Sequence, residues 1–104
     1  MNIDIAAKGL AALGNKTRLR LYKLLIKAGN EGLNVSEIKS LIMIPSSTLA
    51  HHLATLTRSG LVKQERQGKA VVSSADFPMM HGLLAFLTDE CCTGFALTRE
   101  DEAA

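Results

Sequence analysis

The chain has 104 residues and a formal net charge of +2, which sets an expectation of one domain with a modest core. With 47% hydrophobic and 21% charged residues it falls among folded proteins and outside disordered ones. Its two cysteines are too few for a disulfide framework. No apolar run reaches the ~18–20 residues of a membrane span. The opening MNIDIAAKGL lacks the basic and apolar regions of a signal peptide. A cytoplasmic, reducing location with no membrane partner is the expectation.

The charge is unevenly spread. Lys16, Arg18, Arg20, Lys23, Lys27, Lys39, Arg58, Lys63, Arg66 and Lys69 fall in the middle of the chain, and Asp89, Glu90, Glu100, Asp101 and Glu102 near its end. A basic middle suits a nucleic acid, a ribosome or a membrane surface, and charge alone does not choose among them.

Residues 3–13 predict a first helix, because Ile3, Ala6, Ala7, Leu10 and Leu13 repeat at helical spacing. Gly14 stops it and Asn15 can cap a second helix over 16–28. Gly29, Asn30 and Gly32 break that helix. A short third helix starts after Asn34, where Asn34-Val35-Ser36-Glu37 has the spacing of a capping box. Pro45 interrupts the pattern, and Ser46-Ser47-Thr48 suits the start of a fourth helix running to about 59, with Gly60 as its stop.

The period then changes. Leu61–Arg66 and Ala70–Ala75 predict a two-stranded hairpin around Gln67-Gly68. Asp76 and Pro78 open a last helix over about 77–91. Met79, Met80, Leu83, Leu84, Phe86 and Leu87 make that helix apolar on more than one side, which implies burial against a second subunit. Residues 1–92 then form one unit, and 93–104 a flexible tail.

Two short helices with a tight break, followed by a hairpin, match a winged helix-turn-helix: mainly α with a small β-hairpin. A recognition helix must bury one stripe and present short polar side chains on the other. At about 100° per residue, Leu49, Leu53 and Leu56 share the inner side of the fourth helix. Ser47, His51, Thr55 and Arg58 share the outer side, with Thr48 flanking and His52 at the edge of the buried stripe. Ser46, Ser47, Thr48 and His51 are the candidates for base or phosphate contact, and Thr55 and Arg58 for the phosphate backbone. Arg66 and Lys69 at the hairpin tip can reach a phosphate or the minor groove. His51 and His52 are adjacent, so their side chains diverge and cannot share a metal ion as an i,i+4 pair would. No nucleophile–base pair, phosphate loop or metal cluster points to an enzyme.

These residues resemble the ArsR family of winged helix-turn-helix repressors over about residues 5–92. Ala11-Ala12-Leu13-Gly14-Asn15-Lys16-Thr17-Arg18-Leu19-Arg20-Leu21 is similar to the family's opening of the second helix. Ser47-Thr48-Leu49-Ala50-His51-His52-Leu53, followed by Leu56 and Ser59-Gly60-Leu61-Val62, is similar to its recognition helix and the start of its wing. The resemblance implies a homodimer through the first and last helices. It also implies binding to a double-stranded operator with an imperfect inverted repeat, and release by an inducer.

The inducer is where subtypes diverge. Leu33-Asn34-Val35-Ser36-Glu37-Ile38 has no thiol, so the cysteine site that many members carry at the third helix is missing. Asp76, His81, Asp89 and Glu90 do not reproduce the family's last-helix zinc spacing. Cys91-Cys92 resembles the C-terminal vicinal pair of arsenic-responsive members. The resemblance therefore implies a trivalent arsenical as inducer, bound at Cys91 and Cys92, with no resident cofactor. No third cysteine follows, so a methylated arsenical that needs two sulfurs fits the count better than arsenite. A helix C-terminus beside Asp89 and Glu90 disfavours negative charge on sulfur. Redox sensing through the pair, or inert cysteines, stay open, as does a winged-helix protein-interaction module without DNA binding.

Overall fold

The computed structural model describes residues 1–96. Its elements are α1 (Ile3–Leu13), α2 (Lys16–Ala28), a single 3-10 turn (Gly29–Glu31), β1 (Leu33–Asn34), α3 (Val35–Leu41), α4 (Ser46–Arg58), β2 (Val62–Gln67), β3 (Ala70–Ala75) and α5 (Phe77–Thr88). This is a winged helix-turn-helix, mainly helical with a small antiparallel sheet.

Asparagine and aspartate side chains set most helix starts. The Asn2, Asn15 and Asp76 side chains accept hydrogen bonds from the backbone amides of Ile5 (2.9 Å), Arg18 (3.0 Å) and Met79 (3.0 Å), satisfying donors that the first helical turn leaves unpaired. The capping box at α3 is complete. The Glu37 amide donates to Asn34 Oδ1 at 2.8 Å, and the Asn34 amide donates to Glu37 Oε1 at 2.9 Å.

The core joins all the helices to the sheet. Leu21, Tyr22 and Leu25 of α2, Ile38 of α3, and Leu49, Leu53 and Leu56 of α4 are buried together with Leu61, Val62, Ala75, Leu83, Ala6 and Ala12. Tyr22 belongs to this core. Its hydroxyl pKa is pushed up to about 12 by burial and then by the charge of Asp76, so it stays a neutral packing group.

The structure differs from the sequence reading in three places. First, the sheet has three strands in the order β1-β3-β2, where the pattern predicted two. Leu33 and Asn34 pair with Ser73 and Val72. A two-residue strand has no alternation to detect, so the pattern could not carry it. Second, the first wing strand runs 62–67 and not 61–66, paired from Val62 with Ala75 to Gln67 with Ala70. The turn is therefore Gly68-Lys69, with Gly68 at φ 63°, as a two-residue loop with glycine first requires. Leu61 lies just outside the ladder, yet its carbonyl accepts from the Asp76 amide at 2.8 Å and closes the hairpin base.

Third, α5 ends at Thr88, not at 91. Asp89 leaves helical geometry at ψ 133°, and Glu90 and Cys92 adopt φ 58° and 64°, a region that bars helix continuation. Residues 93–96 carry neither helix nor strand, and the rest of the predicted tail, 97–104, lies outside the described residues.

Gly32 has a structural role. At φ 66°, a Cβ there would collide with the Ser73 carbonyl and approach Val72 Cγ1, because β1 and β3 run backbone against backbone. Gly32→Ala is expected to cost about 2–3 kcal/mol, the scale of a strained backbone position with a steric clash. Urea unfolding of the two proteins measures it.

Candidate nucleic-acid interface

Helix α4 is two-sided. Leu49, His52, Leu53 and Leu56 are buried, while Ser46, Ser47, His51 and Arg58 are exposed and Thr48 and Thr55 are half-buried. Its N-cap is Pro45, which makes no side-chain capping bond. The first-turn amides of α4 therefore keep a free positive end beside Ser46 and Ser47.

Not every candidate hydroxyl is free. Thr55 Oγ1 donates back to the His51 carbonyl at 3.1 Å and accepts from Arg58 Nη2 at 3.3 Å. Thr55 thus anchors Arg58 along the helix. Ser46 Oγ accepts a hydrogen bond from Lys39 Nζ of α3, which brings an additional cation to the start of α4. The sequence reading passed over Lys39 as a site residue, since nothing in a linear pattern ties residues seven apart across a turn. Arg66 and Lys69 are exposed on the wing, which packs on the core beside α4.

The imidazole that the periodicity put at the edge of the buried stripe is 8% exposed. Arg18 of α2 explains how it is held there. Arg18 Nε donates to the Ala12 carbonyl at 2.6 Å, and its Nη1 lies 3.4 Å from His52 Nδ1. A guanidinium only donates, so Nδ1 is the acceptor and His52 is neutral. Arg18 thereby links the end of α1 to the inner side of α4. Its place in the basic middle of the sequence concealed this internal role.

Burial, then the Arg18 charge, then His51 hold the His52 pKa below the ordinary histidine value. A histidine whose pKa is lowered on folding contributes full stability above its unfolded pKa, about 6.5. That contribution is lost as pH falls, because the unfolded chain takes up the proton first. Wild-type stability is expected to drop between about pH 7 and 5 by more than that of His52→Gln, with paired chemical unfolding curves at each pH as the measurement.

Cys91 and Cys92 are exposed with their Sγ atoms 3.3 Å apart. They lie in a turn beyond α5, where the Cys91 amide donates to the Thr88 carbonyl at 3.0 Å. The pair is therefore not the helix C-terminus that the sequence pattern assumed. Helix α5 packs on α1, and the thiols follow it directly in the chain. Among the described residues no group of three or more His, Cys, Asp or Glu side chains could hold a metal ion, and no helix is long and apolar enough to cross a membrane.

An exposed polar face on the second helix of a helix-turn-helix, flanked by a basic β-wing, defines a winged-helix protein of the DNA-binding class. A family model described as a helix-turn-helix domain matches residues 13–65. The chain is 40% identical over 60 residues to a Halobacterium salinarum protein named for arsenical resistance operon repression, a match covering 58% of this chain and 46% of that protein. The chain thus spans about half the length of that relative. It is 29% identical over 87 residues to the transcriptional repressor PagR of Bacillus anthracis, covering 84% of this chain and 85% of PagR. A homodimeric winged helix-turn-helix DNA-binding domain of Mycobacterium bovis superposes with a TM-score of 0.66 at 23% identity, over 93% of this chain and 90% of that one. The chain belongs to the ArsR family of winged helix-turn-helix transcriptional regulators, whose members act as regulators and not as enzymes.

Proposed function

We propose that the protein is a cytoplasmic, homodimeric repressor that binds a double-stranded operator and leaves it when a trivalent arsenical bridges Cys91 and Cys92. The observation that carries the DNA half is the two-sidedness of α4. Three buried leucines and His52 fix its back, and Ser47 and His51 stand exposed at its front. In this reading α4 lies in the major groove with Ser46, Ser47, Thr48 and His51 nearest the bases. Arg58, braced by Thr55, binds the phosphate backbone, and Arg66 and Lys69 of the wing hold the flanking duplex.

The dimer half rests on apolar surface. Ile3, Ile5 and Leu10 of α1 are 68%, 45% and 41% exposed, and Leu84 and Leu87 of α5 are 54% and 55% exposed. These two helices pack on one another, so one apolar surface is left for a second copy to cover. A two-fold dimer presents two copies of α4, which calls for an operator with an inverted repeat.

The inducer half rests on the thiols. Two exposed sulfurs 3.3 Å apart suit a single thiophilic atom that bonds to both, and the absence of a third cysteine from the sequence favours a methylated trivalent arsenical. Placed just past α5, the bound atom would act on the dimer surface and change the spacing of the two α4 helices. That is a coupling between two distinct sites.

Duplex DNA from upstream of the protein's own gene, titrated by fluorescence anisotropy, tests the first half. The wild type is expected to bind with a steep salt dependence. Ser47→Ala and His51→Ala should each weaken binding by about tenfold. Arg66→Gln and Lys69→Gln should each reduce the salt slope by about one. Absence of selective binding at low salt would sink the repressor reading in favour of a protein-interaction module.

Release by methylarsenite tests the second half. It should free the wild-type complex and leave a Cys91→Ser, Cys92→Ser complex intact. Release of that double variant would exclude the thiols, and release of the wild type by peroxide alone would assign them to redox sensing.

A further inference from the structure

We propose that the turn between α3 and α4 is a thymine reader, in which Met43 contacts the C5-methyl group of a thymine in the major groove and Lys39 binds a neighbouring phosphate. The inference rests on the DNA-binding reading above and names a specificity determinant within it.

Met43 is 92% exposed, more than any other large apolar residue described. It is held in that position. The Ile42 amide donates to the Ile38 carbonyl at 2.9 Å and ends α3, and the Ile44 amide donates to the Ile42 carbonyl at 3.2 Å. The second bond closes a three-residue turn with Met43 at its apex. Ile42 and Ile44 on either side are partly buried and pack against the core. The chain is therefore pinned inward before and after Met43, and the thioether side chain points into solvent.

The surface beside it is a shallow cleft of about 360 Å³ lined by Lys39, Ile42, Met43, Ile44 and Pro45. Four of these side chains are apolar and one is a cation. Lys39 also reaches Ser46, so the cleft adjoins the start of α4, three residues from Met43. Of the other exposed apolar side chains of the helices, those on α1 and α5 belong to the surface assigned to the second subunit, and Leu19 of α2 and Val35 of α3, 46% and 42% exposed, are about half as exposed as Met43. Met43 and the neighbouring Leu41, 58% exposed, lie on the helix-turn-helix itself.

The occupant follows from that chemistry. Thymine is the one DNA base that carries a methyl group in the major groove, where it is read by apolar contact. A phosphate lies close to every base, which accounts for a cation beside an apolar cleft. Methionine is flexible and polarisable, so it can follow a methyl group without exact shape matching.

The test uses the full chain and the upstream duplex, with each thymine replaced in turn by deoxyuridine, which lacks only the methyl group. One replacement per half-site should weaken wild-type binding about fourfold, the worth of one buried methyl. Met43→Ala should bind the thymine and deoxyuridine duplexes equally, while keeping its dependence on Ser47 and His51. Met43→Leu should keep part of the discrimination, and Lys39→Gln should reduce the salt slope by about one. The inference is overturned if no replacement weakens the wild type, or if Met43→Ala shows the wild-type penalty. It is also overturned if Met43 substitutions alter capture of a protein partner and leave DNA affinity unchanged. Lack of any selective DNA binding by the wild type would bring down the repressor reading and this inference together.

Discussion

The surface offered by this fold depends on how the back of α4 is held. Leu49, Leu53 and Leu56 are at most 3% exposed, and each removes apolar area from water at roughly 25 cal/mol per Å². That burial fixes the rotation of the helix about its axis. Once the rotation is fixed, Ser47, His51 and Arg58 have no alternative but to face outward. The Arg18–His52 contact adds direction to what would otherwise be a non-directional attachment, because His52 Nδ1 accepts through a single lone pair in the plane of its ring. A rotation of α4 by a quarter turn would bury hydroxyls and expose leucines.

The same logic separates the protein into parts with different tasks. The α2–α4 core with the wing is pinned by side chains from every element. Helices α1 and α5 keep apolar side chains outside, and the two exposed thiols lie in the turn after α5. In the proposed function, a signal that acts on the thiols would reach the recognition helices through the relative placement of two subunits, without any need to deform α4 itself. Population of two dimer geometries is the energetic form that such coupling takes.

Much of this was legible in the sequence, and the reasons differ by element. The α1, α2 and α4 patterns are long enough for a 3.6-residue period to stand out, and Asn15 and Asn34 are capping residues at the positions where caps are needed. The inner and outer sides of α4 follow from the pitch alone. What the sequence hid was non-local or too short. Strand β1 has two residues and exists only because β3 passes beside it. The end of α5 was misplaced because Asp89, Glu90, Cys91 and Cys92 contain no glycine or proline, and the left-handed φ at Glu90 and Cys92 leaves no compositional mark. Arg18 and Lys39 read as ordinary surface charges. Only folding brings Arg18 to Ala12 and His52, and Lys39 to Ser46.

The central claim is that residues 46–51 of α4 and the tip of the wing meet duplex DNA. Residue-resolved amide chemical shifts, followed while upstream duplex DNA is titrated into the labelled protein, address that directly. The account predicts that the largest changes fall on Ser46, Ser47, Thr48 and His51 and on Arg66, Gly68 and Lys69, with the α5 end little affected. Changes confined to α1 and α5, with α4 and the wing unmoved, would contradict it.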